Sequence, residues 1–120
     1  MELDSFAERL AVIRQRFAST VEGKIAEAWE ALPQAVGDDA TAVEKVAAAY
    51  QQVHRICGVA STVGFSATGK AARSAEDIII LAFRGKRGLT LSEAQILRQA
   101  LETLRTVARS ELELMKCGGE

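Results

Sequence analysis

The chain has 120 residues, 15 Lys and Arg against 16 Asp and Glu, 48% apolar residues and a single proline. That length suits one domain with its own core, and a net charge of −1 offers no overall attraction to nucleic acid or to an anionic membrane. The mixture favours helices over disorder. Two distant cysteines, Cys57 and Cys117, read as free thiols in a reducing compartment rather than as a disulfide or a metal pair.

The chain opens without a basic stretch followed by an apolar run, so no signal peptide is expected. The longest apolar run, Ile78 to Phe83, is too short to span a bilayer. A cytoplasmic protein is the expectation.

Ser5 with Glu8 makes a capping box, and a helix is predicted to start there. Its apolar stripe runs Phe6, Leu10, Ile13, Phe17, Val21, Ile25, Trp29 and Leu32, in steps of three and four. A second box, Ser19 with Glu22, precedes Gly23, so a bend or break near residues 18–23 is the alternative to one long helix. Pro33 should end the segment, with a loop from Gln34 to Asp39.

Thr41 and Glu44 form the next box. The second stripe is Val43, Val46, Tyr50, Val53, Cys57 and Ala60, continuing to about Val63, where Gly64 should stop the helix. A third helix is predicted from about Ala67 to Phe83, with Ala71, Ala75, Ile78, Ile79 and Ala82 facing inward. Arg84 to Gly88 reads as a solvated basic loop. Thr90 with Glu93 caps the last helix, whose stripe is Leu97, Leu101, Leu104, Val107 or Ala108, and Leu112 to Met115. Short loops between long amphipathic helices imply an all-α, up-down antiparallel four-helix bundle over residues 1–120. The divided first segment would raise the count to five. The stripes can bury one another within one chain, so a monomer is expected. Trp29, Phe17 and Tyr50 lie on them and read as core.

His54 is the only histidine. Gly58 follows it by one helical turn, where glycine costs roughly 0.5–1 kcal/mol relative to alanine. Helical side chains lean toward the N-terminus, so a side chain at 58 would lie over the His54 ring, and its absence leaves the imidazole uncovered. On a helical wheel His54 falls about 70° from the core direction set by Val46, Tyr50, Val53 and Cys57. Gln51, Gly58 and Ser61 share its side. An antiparallel third helix turning near residue 65 brings positions summing to about 130 together, which sets His54 near 76. Glu76 is then the first choice to accept from Nδ1–H and leave Nε2 as the exposed nucleophile; Arg73 and Asp77 are the other polar groups nearby. Arg55, Lys70 and Arg73 offer positive potential for an anion on the ring.

The stretch His54, Arg55, Ile56, Cys57, Gly58, Val59, Ala60, Ser61, Thr62, Val63, Gly64, Phe65 resembles the signature of histidine-containing phosphotransfer (HPt) domains. That pattern is roughly His, any, apolar, Lys, Gly, any, small, any, any, apolar or aromatic, Gly, apolar. The resemblance implies that His54 accepts a phosphoryl group from a receiver-domain aspartate and passes it to another receiver. It implies that Gly58 gives the receiver room to approach, and that the Mg²⁺ and catalytic side chains come with the partner. Such partners are receiver domains of response regulators or of a hybrid histidine kinase. Two departures stand out: Cys57 replaces the family's Lys, and Glu76 stands where members often carry Gln.

No nucleotide-binding glycine loop is present, so self-phosphorylation is not expected. One His and two distant Cys make no metal site, and no resident cofactor is expected. The competing reading is a non-catalytic helical adaptor, or a degenerate HPt fold that binds a partner without accepting phosphate. A free-standing relay protein and an excised domain of a hybrid kinase would look alike.

Overall fold

A computed structural model describes the backbone of residues 2–118 and the side chains of residues 5–115. It consists of four helices: α1 (Glu2–Ala35), α2 (Ala40–Ala60), α3 (Ser66–Arg84) and α4 (Leu91–Gly118). Each helix packs on two neighbours, α1 on α2, α2 on α3, α3 on α4 and α4 back on α1. Short connections alternate between the two ends, so the bundle is up-down and antiparallel. The rod measures 57 × 20 × 19 Å, because α1 and α4 extend past the α2–α3 hairpin. Among the described residues, no helix is long and apolar enough to cross a membrane.

The first segment is one continuous helix, not two. Phe17, Ala18, Val21, Ile25, Ala28, Leu32 and Ala35 are all buried on one face, and that unbroken stripe outweighs the propensity cost of the exposed Gly23. The Ser19–Glu22 box is unused; Glu22 instead pairs with Arg109 of α4. The Ser5–Glu8 box is also bypassed, since the helix already begins at Glu2. Pro33 does not terminate α1 but sits in its last turn, with Leu32 and Ala35 buried on either side.

Asp39, not Thr41, caps α2. Its Oδ1 accepts from the Ala42 amide at 2.8 Å, which starts the helix ahead of the expected box. Beyond Ala60 the chain enters a turn, with the Phe65 amide donating to the Ala60 carbonyl at 2.7 Å and Gly64 at a φ of +89°. The helix thus ends three residues before the expected Val63, and the left-handed conformation at Gly64 closes the turn that follows rather than the helix itself. Phe65 is fully buried against Phe17, ring centroids 4.9 Å apart, which locks the turn onto α1.

Thr68, Ala72, Ala75, Ile79 and Ala82 form the buried face of α3; Ala71 and Ile78, expected inside, are only partly buried at its edge. The Thr90–Glu93 capping box forms as expected, Thr90 N donating to Glu93 Oε1 at 2.9 Å and Glu93 N to Thr90 Oγ1 at 3.1 Å. Leu97, Leu101, Leu104 and Ala108 then bury one face of α4, with Leu112 and Met115 packed at the edge of the core. At the loop end the two connections clasp each other: Leu89 N donates to Ala35 O at 2.8 Å and Gly37 N to Leu89 O at 3.2 Å. A Cβ on Gly88 would overlap the Gly37 carbonyl oxygen, so only glycine lets these backbones meet.

Candidate functional site

The buried residues of α2 are Ala42, Val46, Ala49, Val53, Ile56 and Ala60. Ala49 and Ile56 therefore lie deeper than Tyr50 and Cys57, which are half-buried. This turns the core direction away from the expected one and places His54 about 120° from it at 100° per residue, instead of about 70°. The His54 side chain is accordingly 64% exposed. It stands on the outer ridge of α2, one turn before Gly58, where an added Cβ would meet nothing within 4 Å.

Glu76 of α3 faces it as the antiparallel register requires. Its Oε1 lies 2.7 Å from His54 Nδ1, and its side chain is 13% exposed. A carboxylate can only accept, so Nδ1 carries the proton and Nε2 points its lone pair outward. One side of the imidazole is supported by aromatic stacking. Tyr50, one turn earlier on α2, lies under the ring at a centroid distance of 5.6 Å and 15° between planes. Phe83 of α3 stacks beneath Tyr50 at 4.2 Å and 10°. Tyr50 is thus a platform for the histidine as well as an edge of the core, a role its spacing of four from His54 would have signalled.

The expected cations divide between two grooves. Lys70 and Arg73 of α3 line a shallow cleft with Cys57, Ser61, Ser66 and Gly69, beginning one turn beyond His54. The side chain that stands where the resembled pattern has Lys therefore opens onto two cations of the neighbouring helix. Arg55 instead lines the groove on the α1 side of the ridge, with Ile56 and Val59. Cys57 is a free thiol, whereas Cys117 lies outside the described side chains. Among the described residues, no group of three or more His, Cys, Asp and Glu side chains is arranged to hold a metal ion.

The hairpin that sets this geometry is tied down from both overhanging helices. Arg14 of α1 donates through Nε to the Val63 carbonyl at 3.2 Å. Glu111 of α4 accepts from the Thr68 amide and the Thr68 hydroxyl, each at 2.7 Å, and from the Ala67 amide at 3.2 Å, capping the first turn of α3. Sequence reading missed both. Nothing in local spacing marks residues that act 43 to 49 positions away.

Comparison with protein-family models matches residues 3–107 to the Hpt domain. No curated protein and no solved structure matches the chain.

Proposed function

The chain belongs to the Hpt domain family, whose role is phosphotransfer in phosphorelays, and from that premise we propose that His54 is its phosphoacceptor, loaded by one receiver domain and discharged to another. The observation that carries this reading is a solvent-facing imidazole whose Nδ1 is held by a carboxylate at 2.7 Å. Nε2 attacks the phosphorus of a receiver's aspartyl phosphate; the N–P bond forms as the bond to the aspartate oxygen breaks, and the carboxylate leaves with the electron pair. The ring gains positive charge as the bond forms, and the Glu76 carboxylate stabilises that charge by accepting from Nδ1–H, whose proton stays on the ring. Transfer to the next receiver is the same step in reverse. Mg²⁺ and the acidic catalytic side chains belong to the receivers.

Lys70 and Arg73 take the place of the missing Lys. They reach the phosphoryl oxygens across the cleft occupied by Cys57, with Ser61 as a hydroxyl donor. Arg55 contributes positive potential from the other side of the ridge. The short, exposed helix face around Gly58 is the surface on which a receiver docks.

The test is phosphoryl transfer from a phosphorylated receiver of the same organism. Acid-labile label should appear on the wild type and vanish in His54→Gln. Equal labelling of that variant would overturn the assignment.

A further inference from the structure

Helical side chains lean toward the N-terminus, so the His54 ring settles over residue 50, one turn back on the same side of α2. The chain's only tyrosine stands there. Its ring lies 5.6 Å from the imidazole between centroids and 15° from parallel, an offset stack of the kind aromatic pairs prefer. Phe83 of α3 stacks on Tyr50 in turn, at 4.2 Å and 10°. One turn on from His54, Gly58 puts no side chain over the ring. Filling the rim of the core needs only an apolar side chain, and leucine at position 50 would do it. A flat ring laid parallel to a histidine that is 64% exposed serves the histidine.

Phosphoryl transfer changes the charge of that histidine. Neutral His54 becomes a phosphoimidazolium when Nε2 bonds phosphorus and Nδ1 keeps its proton. An aromatic face is the negative part of the ring's quadrupole and attracts a cation within about 6 Å of its centroid. The 5.6 Å separation falls inside that reach. Glu76 meets the new charge at the edge of the imidazole, 2.7 Å from Nδ1, and Tyr50 meets it at the face.

We infer that Tyr50 is a positioning residue of the relay: its ring fixes the plane of the imidazole and, through its quadrupole, favours phosphorylated His54 over the free side chain. The inference rests on the phosphoacceptor reading of His54. Phe83 backs the arrangement by limiting rotation of the Tyr50 ring. An imidazole held in one plane keeps Nε2 aimed for in-line attack. Loss of the aromatic face moves phosphate from this chain to the receiver, with Nε2 and Glu76 both left in place.

The experiment measures the equilibrium partition of label between this protein and a receiver of the same organism, well below the unfolding midpoint. It compares the wild type, Tyr50→Phe, Tyr50→Leu and a chain carrying pentafluorophenylalanine at position 50. That last side chain keeps the shape of phenylalanine and reverses the charge distribution of its face. Tyr50→Phe should hold the wild-type partition, while Tyr50→Leu and the fluorinated ring should shift it toward the receiver by about twofold to fivefold. Proton NMR at alkaline pH, with the imidazole neutral, reads the stack itself, because a single histidine gives one pair of ring C–H signals. Those signals should lie upfield in the wild type and Tyr50→Phe and move downfield in Tyr50→Leu. The same partition in all four proteins, or histidine signals that stay put in Tyr50→Leu, would overturn this inference alone. A shift in Tyr50→Leu that the fluorinated ring does not share would reduce Tyr50 to packing and overturn it as well. Direct labelling of wild-type His54 by phosphoramidate, which needs no docking partner, tests the phosphoacceptor reading by itself. Failure of that labelling, or of every receiver to exchange phosphate with the wild type, would overturn both together.

Discussion

Gly58 lies inside a helix, at a φ any residue can adopt, and a Cβ there would meet nothing within 4 Å. The fold therefore gains nothing from glycine at this position. Gly58→Ala should stabilise the protein by roughly 0.5–1 kcal/mol, seen as a higher denaturant midpoint with an unchanged m-value. Transfer from a receiver should slow in the same variant, and more so in Gly58→Leu, while phosphoramidate labelling stays at the wild-type level. A variant that is both more stable and equally fast in transfer would remove docking as the reason for the glycine. Glu76 makes the complementary case. Glu76→Gln keeps an acceptor for Nδ1–H but removes the charge that favours the phosphorylated ring. Hydrogen bonds involving a charged partner exceed neutral ones by about 1 kcal/mol, so the phosphate should shift toward the receiver by roughly threefold to tenfold. The measurement is the equilibrium partition of label between the two proteins.

At the scale of the helices, local signals read from sequence succeeded where they had no long-range competitor. The Thr90–Glu93 box forms because the loop before it leaves both residues at a true helix start. The Thr41–Glu44 and Ser19–Glu22 boxes are equally good locally, yet Asp39 starts α2 earlier and the α1 stripe runs straight through the second. His54 and Glu76 were legible together because an antiparallel hairpin with a glycine turn fixes its own register. The rotation of α2 was not legible. Small Ala49 lies in the core while Tyr50 moves to the rim to stack on Phe83, a choice made by the shape of α3. Glu111 is the clearest long-range contributor, since it satisfies the first amides of α3 and the buried Thr68 hydroxyl from another helix. Glu111→Ala strands those donors and should cost about 1–3 kcal/mol in denaturant unfolding. Glu111→Gln, which keeps an acceptor, should lose less. The capped residues lie about 12–14 Å along α3 from Glu76, so His54 labelling well below the midpoint should persist in both.

Across the whole molecule, the two ends of the rod do different work. One end holds the α2–α3 turn, the overhanging helices and His54; the other holds the clasp of Ala35, Gly37 and Leu89 and the start of α4. Acid sensitivity belongs to the second end. The bidentate Arg87 guanidinium, at 2.8 and 3.0 Å, together with the Thr90 amide, lowers the Glu93 carboxyl from its usual 4.5 to about 2. The folded state thus binds this proton more weakly than the unfolded chain does. The resulting stability is complete above about pH 4.5 and is lost as the pH falls toward about 2. Glu93→Gln preserves the form of the capping box but abolishes the ion pair. Its Tm should lie roughly 3–5 °C below the wild type at pH 7, with the gap closing as the pH drops below 4.5. A gap that stays constant through that window would mean that the pair contributes only its hydrogen bonds. Because the clasp is several helical turns from His54, phosphoramidate labelling at pH 7, measured below both unfolding transitions, should be the same in the two proteins. Equal labelling with unequal Tm would separate what the Arg87–Glu93 pair contributes to stability from the chemistry at the end that holds His54.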